Sequence, residues 1–200
     1  MDANIRRWLV PVLVLTVFGS LALVEGLQQP ANDFHFSILG DRTGGAQPQI
    51  YGRVWYEVGL LAPDFAISVG DSIEGGKEER AEAECTALKK VWQRYQQLPL
   101  YLTPGNHDIW SPASQRIYEE QTGQKPYYSF NYQDAHFTVL DNSRTPDLSE
   151  EQLKFLEDDL KQNRKRSPKF VFFHRPFWIL PVGAGNRDFP LHRLAKEYGV

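Results

Sequence analysis

The stretch LPLYLTPGNHDIW, Leu98–Trp110, decides how the rest of the chain is read. An apolar run, LPLYL, stops at Pro104 and Gly105, and Asn106, His107 and Asp108 follow without a gap. Such a run closed by proline and glycine reads as a buried strand leaving its sheet. An amide, an imidazole and a carboxylate in one sharp turn exceed what a plain turn needs. This strand end is therefore a candidate site.

The same arrangement recurs on both sides of it. FSILG is followed by Asp41 in GDRTGG, and FAISVG by Asp71 in GDSIEGG. FTVL is followed by Asp141-Asn142, and FVFF by His174 in FFHRPFW. Helical stretches separate these strands: QPQIYGRVWYEVGLL, KEERAEAECTALKKVWQRYQQL, SPASQRIYEEQTG and LSEEQLKFLEDDLKQNR. The last opens with a capping box, Ser149 as cap and Gln152 three residues on. KPYYSFNYQDAHFTVLD reads as a hairpin turning near Gln133-Asp134. PFWILPVGAGNRDFP reads as loop material beside His174. Alternating strands and helices, with the strands nearly all apolar, predict an α/β layered fold with helices on the sheet faces. In open α/β sheets ligands bind beyond the carboxyl ends of strands, so Asp41, Asp71, Asn106–Asp108 and His174 should meet at one rim.

Composition narrows the function classes. The 200 residues are 42% hydrophobic and 24% charged, enough for one sizeable core. A net charge of −3 shows no nucleic-acid footprint. The single cysteine, Cys85, excludes an intrachain disulfide framework and any CxxC motif, and reads as a half-buried spectator in a helix. Residues 1–30 differ from the rest. Arg6 and Arg7 precede an uncharged apolar run over residues 8–24, with a small-x-small site at Ser20–Ala22. This fits a signal peptide, while its length reaches the lower limit for an N-terminal membrane anchor. Either reading puts the domain, residues 31–200, outside the cytoplasm or facing away from it: periplasmic, extracellular or membrane-attached.

Two aspartates, an asparagine and a histidine form an oxygen and nitrogen donor set suited to iron, manganese or zinc. In order, with GD, GD, GNHD and a lone histidine each at a strand end, the chain resembles the calcineurin-like metallophosphoesterases, which include the purple acid phosphatases. The resemblance covers about residues 34–200. It implies a β-sheet sandwich flanked by helices, and hydrolysis of phosphoric esters at a site of two divalent or trivalent metal ions. By that resemblance Asp41 holds the first metal and Asp71 bridges both. Asn106 and His174 hold the second. Two such ions clamp a phosphoryl oxygen and generate a hydroxide nucleophile. His107 then stabilises the phosphoryl charge or protonates the leaving oxygen, and Asp108 orients His107. Arg42 and Arg175, flanking the site, would bind phosphate oxygens of the substrate with their forked donors.

Two departures from the family pattern stand out. Thr43 occupies the place where the first motif has a histidine, and a hydroxyl is a poor ligand for a transition metal. The family's final GH-x-H motif is absent; FPLHRLAKEYGV closes a helix at Gly199, and His192 within it reads as structural. These features lead us to expect a copy of the domain incomplete at its C-terminus, its final strands missing, that binds metal poorly and turns over slowly. A non-catalytic scaffold or binding module with a degraded metal site is the alternative. A third reading is an unrelated α/β binding protein whose polar strand ends coincide. His35 and His136 read as packed within strands. Glu74 would support its turn, and Asp141-Asn142 matches no ligand motif.

Overall fold

The computed structural model describes residues 33–47, 49–186 and 188–200. Residues 1–32, with the proposed signal or anchor, lie outside that set. Phe34–Val200 form one compact unit. Among the described residues no helix is long and apolar enough to cross a membrane.

Three short strands open the unit: β1 (Phe36–Leu39), β2 (Phe65–Ser68) and β3 (Leu100–Leu102). They pair in parallel in the order β1-β2-β3, with Phe36 opposite Phe65 and Ala66 opposite Leu100. Parallel pairing requires a crossover between strands. Helix α1 (Ile50–Leu61) joins β1 to β2, and α2 (Glu78–Trp92) joins β2 to β3. The three carboxyl ends therefore point to one rim. Backbone bonds carry the alignment past the strands, from Val69 N–H to Leu39 O (2.7 Å) and from Thr103 N–H to Ser68 O (3.1 Å).

A second sheet follows helix α3 (Pro112–Thr122). The hairpin is as predicted: β4 (Tyr128–Tyr132) runs antiparallel to β5 (Ala135–Val139), with Gln133 at φ 48° in the turn. Helix α4 (Glu150–Gln162) then returns the chain to β6 (Lys169–Phe172), which pairs in parallel with β5. Two further helices complete the unit, α5 (Ile179–Gly183) and α6 (Pro190–Tyr198). Helix α5 lies within the stretch read as loop. Its five residues are too few to show a periodic face, so nothing in the pattern marks it.

The two sheets face one another through aromatic rings. Phe36 and Phe65 of the first sheet meet Phe137 of the second at centroid distances of 5.4 and 5.2 Å, edge to face. Tyr101 stacks on Phe130 at 3.6 Å, and Phe130 on Phe137 at 4.8 Å. Each such pair adds about 0.5–1.5 kcal/mol beyond the area it buries. Strand alternation sends the other side chains outward. On the first sheet's outer side Ile73, Ala81 and Leu88 form a core with partly buried Trp92, Trp110 and Ile117. On the second sheet's outer side Leu140, Leu156, Leu160, Leu191 and Tyr198 form another, with Val171 and Phe173 packed on it. The result is a sandwich with helices on both outer faces.

One capping expectation holds only in part. Ser149 accepts a bond from Gln152 N–H (3.2 Å), as a cap should. The Gln152 amide does not complete a box. It grips the backbone of Asp141 instead, accepting from Asp141 N–H and donating to Asp141 O, each at 2.7 Å. The complete box is at α3, where Ser111 and Ser114 bond reciprocally.

Candidate metal centre

Asp41 and Asp71 occupy equivalent places, one residue beyond a glycine after β1 and β2. Both adopt the left-handed backbone, at φ 49° and 56°. Aspartate tolerates that region better than most residues, and such conformations concentrate at functional sites. Asp41 N–H bonds to Gly70 O (3.1 Å) and Arg42 N–H to Asp71 O (3.2 Å), so the two turns are laced together.

Asp71 is the hub of the rim. It is buried, and its Oδ1 accepts from His107 N–H at 2.9 Å. Thr43 Oγ1 donates to Oδ2 at 3.3 Å. His174 Nε2 lies 3.4 Å from Oδ1 and His107 Nε2 3.9 Å from Oδ2. The glycines allow this crowding. A Cβ on Gly105 would overlap Asp71 Oδ1, and one on Gly70 would stand 2.6 Å from His174 Nδ1.

His174 reaches the rim from the second sheet, just beyond β6. Its Nδ1 bonds to Val69 O at 2.8 Å. A carbonyl only accepts, so Nδ1 carries the proton and the Nε2 lone pair turns toward Asp71. A backbone acceptor behind the ring is the usual support of a metal-binding histidine. One ligand atom each from Asp41, Asp71 and His174 lie within 4.8 Å of one another. The donor set and the tautomer fit a divalent or trivalent cation. Asn106 is half-buried in the turn between Gly105 and His107, both of which abut Asp71.

Asp108 requires a correction. It does not orient His107. Its Oδ1 accepts from Ser72 N–H (2.9 Å) and Ile73 N–H (3.3 Å), and its Oδ2 from Gly105 N–H (2.8 Å). It ties the GDSIEGG loop to the GNHD loop from beneath. Burial pushes its carboxyl up to about 6, against the pull of those N–H donors. His107 is steadied by another group: its Nδ1 bonds to Glu74 O at 2.6 Å. The sequence pattern pointed to the nearest carboxylate, but adjacent residues in a turn point different ways.

Arg42 and Arg175 flank the site, each steadied by a backbone carbonyl. Arg42 Nη1 donates to Ser72 O (2.9 Å), with the guanidinium 5.3 Å over the Tyr51 ring. Arg175 Nε donates to Ser143 O at 3.1 Å. Asp41, Arg42 and Thr43 line one end of a groove of about 600 Å³ that runs between β1 and α1. Asn142 was the residue whose importance the motifs did not show. It is fully buried, and its Oδ1 accepts from the backbone N–H groups of His174 and Arg175. A polar LDN directly after an apolar strand was the available signal.

Of the remaining histidines, His136 is packed within a strand as expected, and His35 is not. His136 is buried, with Nε2 2.8 Å from Asp159 Oδ2 and Nδ1 2.7 Å from Asn131 Oδ1. His35 precedes β1 and is exposed, with Nε2 3.0 Å from Leu61 O. His192 lies in α6 with its ring 5.5 Å from that of Phe189. Cys85 is half-buried in α2, and burial lifts its thiol to about 11, far from nucleophilic.

A strand-end constellation of this kind has a counterpart among known proteins. The family model described as calcineurin-like phosphoesterase matches residues 31–200. The chain belongs to the calcineurin-like phosphoesterase family. An accidental likeness in an unrelated α/β binding protein is thereby set aside. Serine/threonine-protein phosphatase CPPED1 of Rattus norvegicus is 28% identical over 147 residues, 68% of this chain and 47% of that protein. The chain thus spans about half the length of the curated relative it matches. Two solved structures share the fold. The purple acid phosphatase PPD1 from yellow lupin (Lupinus luteus) seeds superposes with a TM-score of 0.57 at 16% identity, over 84% of this chain and 36% of that one. A dimetal phosphatase from Danio rerio superposes with a TM-score of 0.53 at 12% identity, over 70% and 69%. At those identities the likeness speaks to architecture. Membership in this phosphoesterase family implies divalent or trivalent metal ions.

Proposed function

We propose that the chain hydrolyses phosphoric esters, with Asp41, Asp71, Asn106 and His174 holding two metal ions, of iron, manganese or zinc. The observation that carries this reading is the meeting of Asp41, Asp71 and His174 ligand atoms within 4.8 Å, drawn from both sheets. When bound, the ions supply Lewis-acid charge and lower the pKa of the attacking water. The rest is the work of the chain's own residues.

Asp71, with one oxygen bonded by the His107 amide and the other by Thr43, is fixed at both oxygens and would hold the metal ions through their remaining lone pairs. Thr43 thus acts on Asp71 and not as a ligand in its own right. His107, steadied through Nδ1 by Glu74 O, keeps Nε2 for the phosphoryl group. With Nδ1–H committed to that carbonyl, Nε2 donates only as part of the imidazolium, and in that form it would hydrogen-bond the developing charge or give its proton to the leaving oxygen. Arg42, at the groove's end, and Arg175, beside His174, bind phosphate oxygens with the guanidinium nitrogens their backbone carbonyls do not use.

Hydrolysis of nitrophenyl phosphate with Mn²⁺ or Zn²⁺ added, measured with calorimetric metal titration, tests the proposal. Turnover should require metal, and Asp71→Asn should lose both. Neither turnover nor binding in the unmodified chain would favour a non-catalytic scaffold.

A further inference from the structure

The loop after β5 lies on no ligand motif, yet it holds the turn that carries His174. We propose that Asn142 is the positioning residue of the metal centre, setting the direction of His174 and, through the same bonds, the reach of Arg175. The inference rests on the metal-dependent reading above.

Strand β6 ends at Phe172, so the N–H groups of His174 and Arg175 lie beyond the ladder. Buried backbone donors need partners, and here the partner is a side chain. Asn142 Oδ1 accepts from His174 N–H at 3.1 Å and from Arg175 N–H at 2.9 Å. Asn142 Nδ2 donates to Arg175 O at 2.8 Å and to Pro146 O at 3.2 Å. A carboxamide offers two acceptor and two donor positions, and all four are filled. The flipped amide would set NH₂ against two N–H donors and oxygen against two carbonyls, so one orientation alone works. Aspartate would bury a charge facing those carbonyls, and alanine would leave both amides unpaired.

Asn142 is itself held firmly. It is 1% exposed, and the residue before it is gripped at both backbone atoms by Gln152. The last ladder bond, Leu140 N–H to Phe172 O (2.9 Å), lies just upstream. His174 is therefore fixed at two points, its backbone by Asn142 and its Nδ1 by Val69 O. With both points fixed, Nε2 faces Asp71 at 3.4 Å. Releasing the backbone point lets the ring pivot about the Val69 bond and swing Nε2 off its target. The same release frees Arg175, whose Nε anchor on Ser143 O belongs to the same loop.

The test compares the native chain with Asn142→Ala and with Asp141→Asn, which alters the loop while leaving the Asn142 amide in place. Co²⁺ is titrated into each and followed by visible absorption; thermal unfolding and amide hydrogen exchange are measured alongside. Asn142→Ala should fold, bind Co²⁺ about 10–100-fold more weakly and shift its absorption bands, as losing an outer support of a ligand does. Its His174 and Arg175 amides should exchange faster, and Asp141→Asn should keep the native affinity. Native affinity and spectrum in Asn142→Ala would overturn the proposal. Should that variant fail to fold, exchange in the native chain decides: slow amides at His174 and Arg175 support the clamp, and fast ones refute it. A native chain that binds no Co²⁺ sinks the metal reading itself, whereas binding indifferent to Asn142 sinks only this inference.

Discussion

Asp71 and Asp108 are both buried aspartates, and their surroundings give them different work. Asp71 takes one backbone amide and one hydroxyl and faces two imidazoles, which leaves it lone pairs for a cation. Asp108 takes three backbone amides and stays beneath the site. Asp108→Asn sets an NH₂ against at least one of those N–H groups. The unsatisfied pair should cost about 1–3 kcal/mol in denaturant unfolding, while His107, held by Glu74 O, keeps its contribution to turnover. Turnover lost in that variant to the extent that His107→Ala loses it would restore the carboxylate to an orienting role. Away from the rim, burial works against the charge of Asp159, but bonds from His136, Ser129 and Thr138 outweigh it and hold its pKa below the usual carboxylate range. A depressed carboxylate stabilises the fold above its unfolded pKa, about 3.9, and that contribution is lost as pH falls through the folded value. The stability gap between the native chain and Asp159→Asn should therefore be constant near neutrality and close below about pH 4. A gap independent of pH in acid would contradict the depressed Asp159 carboxyl.

At the scale of elements, the strands and long helices were legible because their patterns are long and uninterrupted. β1, β2, β3, β5 and β6 each fall inside an apolar run ending in a polar turn, and Gln133-Asp134 marked the hairpin. Helix α5 was not legible, being one turn long. Gln152 misled because the cap pattern is local, while its amide serves Asp141 eleven residues away in sequence. Asn142 was passed over for the same reason: its partners are His174 and Arg175, which no local pattern connects to it. Glycine before a polar strand end permits a tight turn. The sandwich shows the stronger constraint, a lack of room for a side chain. Gly105→Ala places a Cβ into Asp71, with Asp71 backbone and carboxylate both in its way. Metal affinity in that variant should fall at least as far as an outer-support variant does, about 10–100-fold, with a lowered unfolding temperature. Native metal affinity in Gly105→Ala would mean the two loops are not in the close register described.

At the scale of the whole molecule, a parallel sheet and a mixed one are laid face to face by an aromatic core, and the ends of β1, β2 and β6 meet on one side. That is what brings Asp41 and Asp71, from one sheet, to His174 from the other. The order of motifs anticipated the meeting and membership in the calcineurin-like phosphoesterase family agrees with it, while the distances needed the packing of the two sheets. Anomalous diffraction from crystals soaked in Mn²⁺ measures the meeting itself. The expected result is density among Asp41, Asp71 and His174, resolved into one peak on Asp41 and Asp71 and a second on Asp71, Asn106 and His174. Manganese bound elsewhere on the chain, with no peak among Asp41, Asp71 and His174, would contradict it.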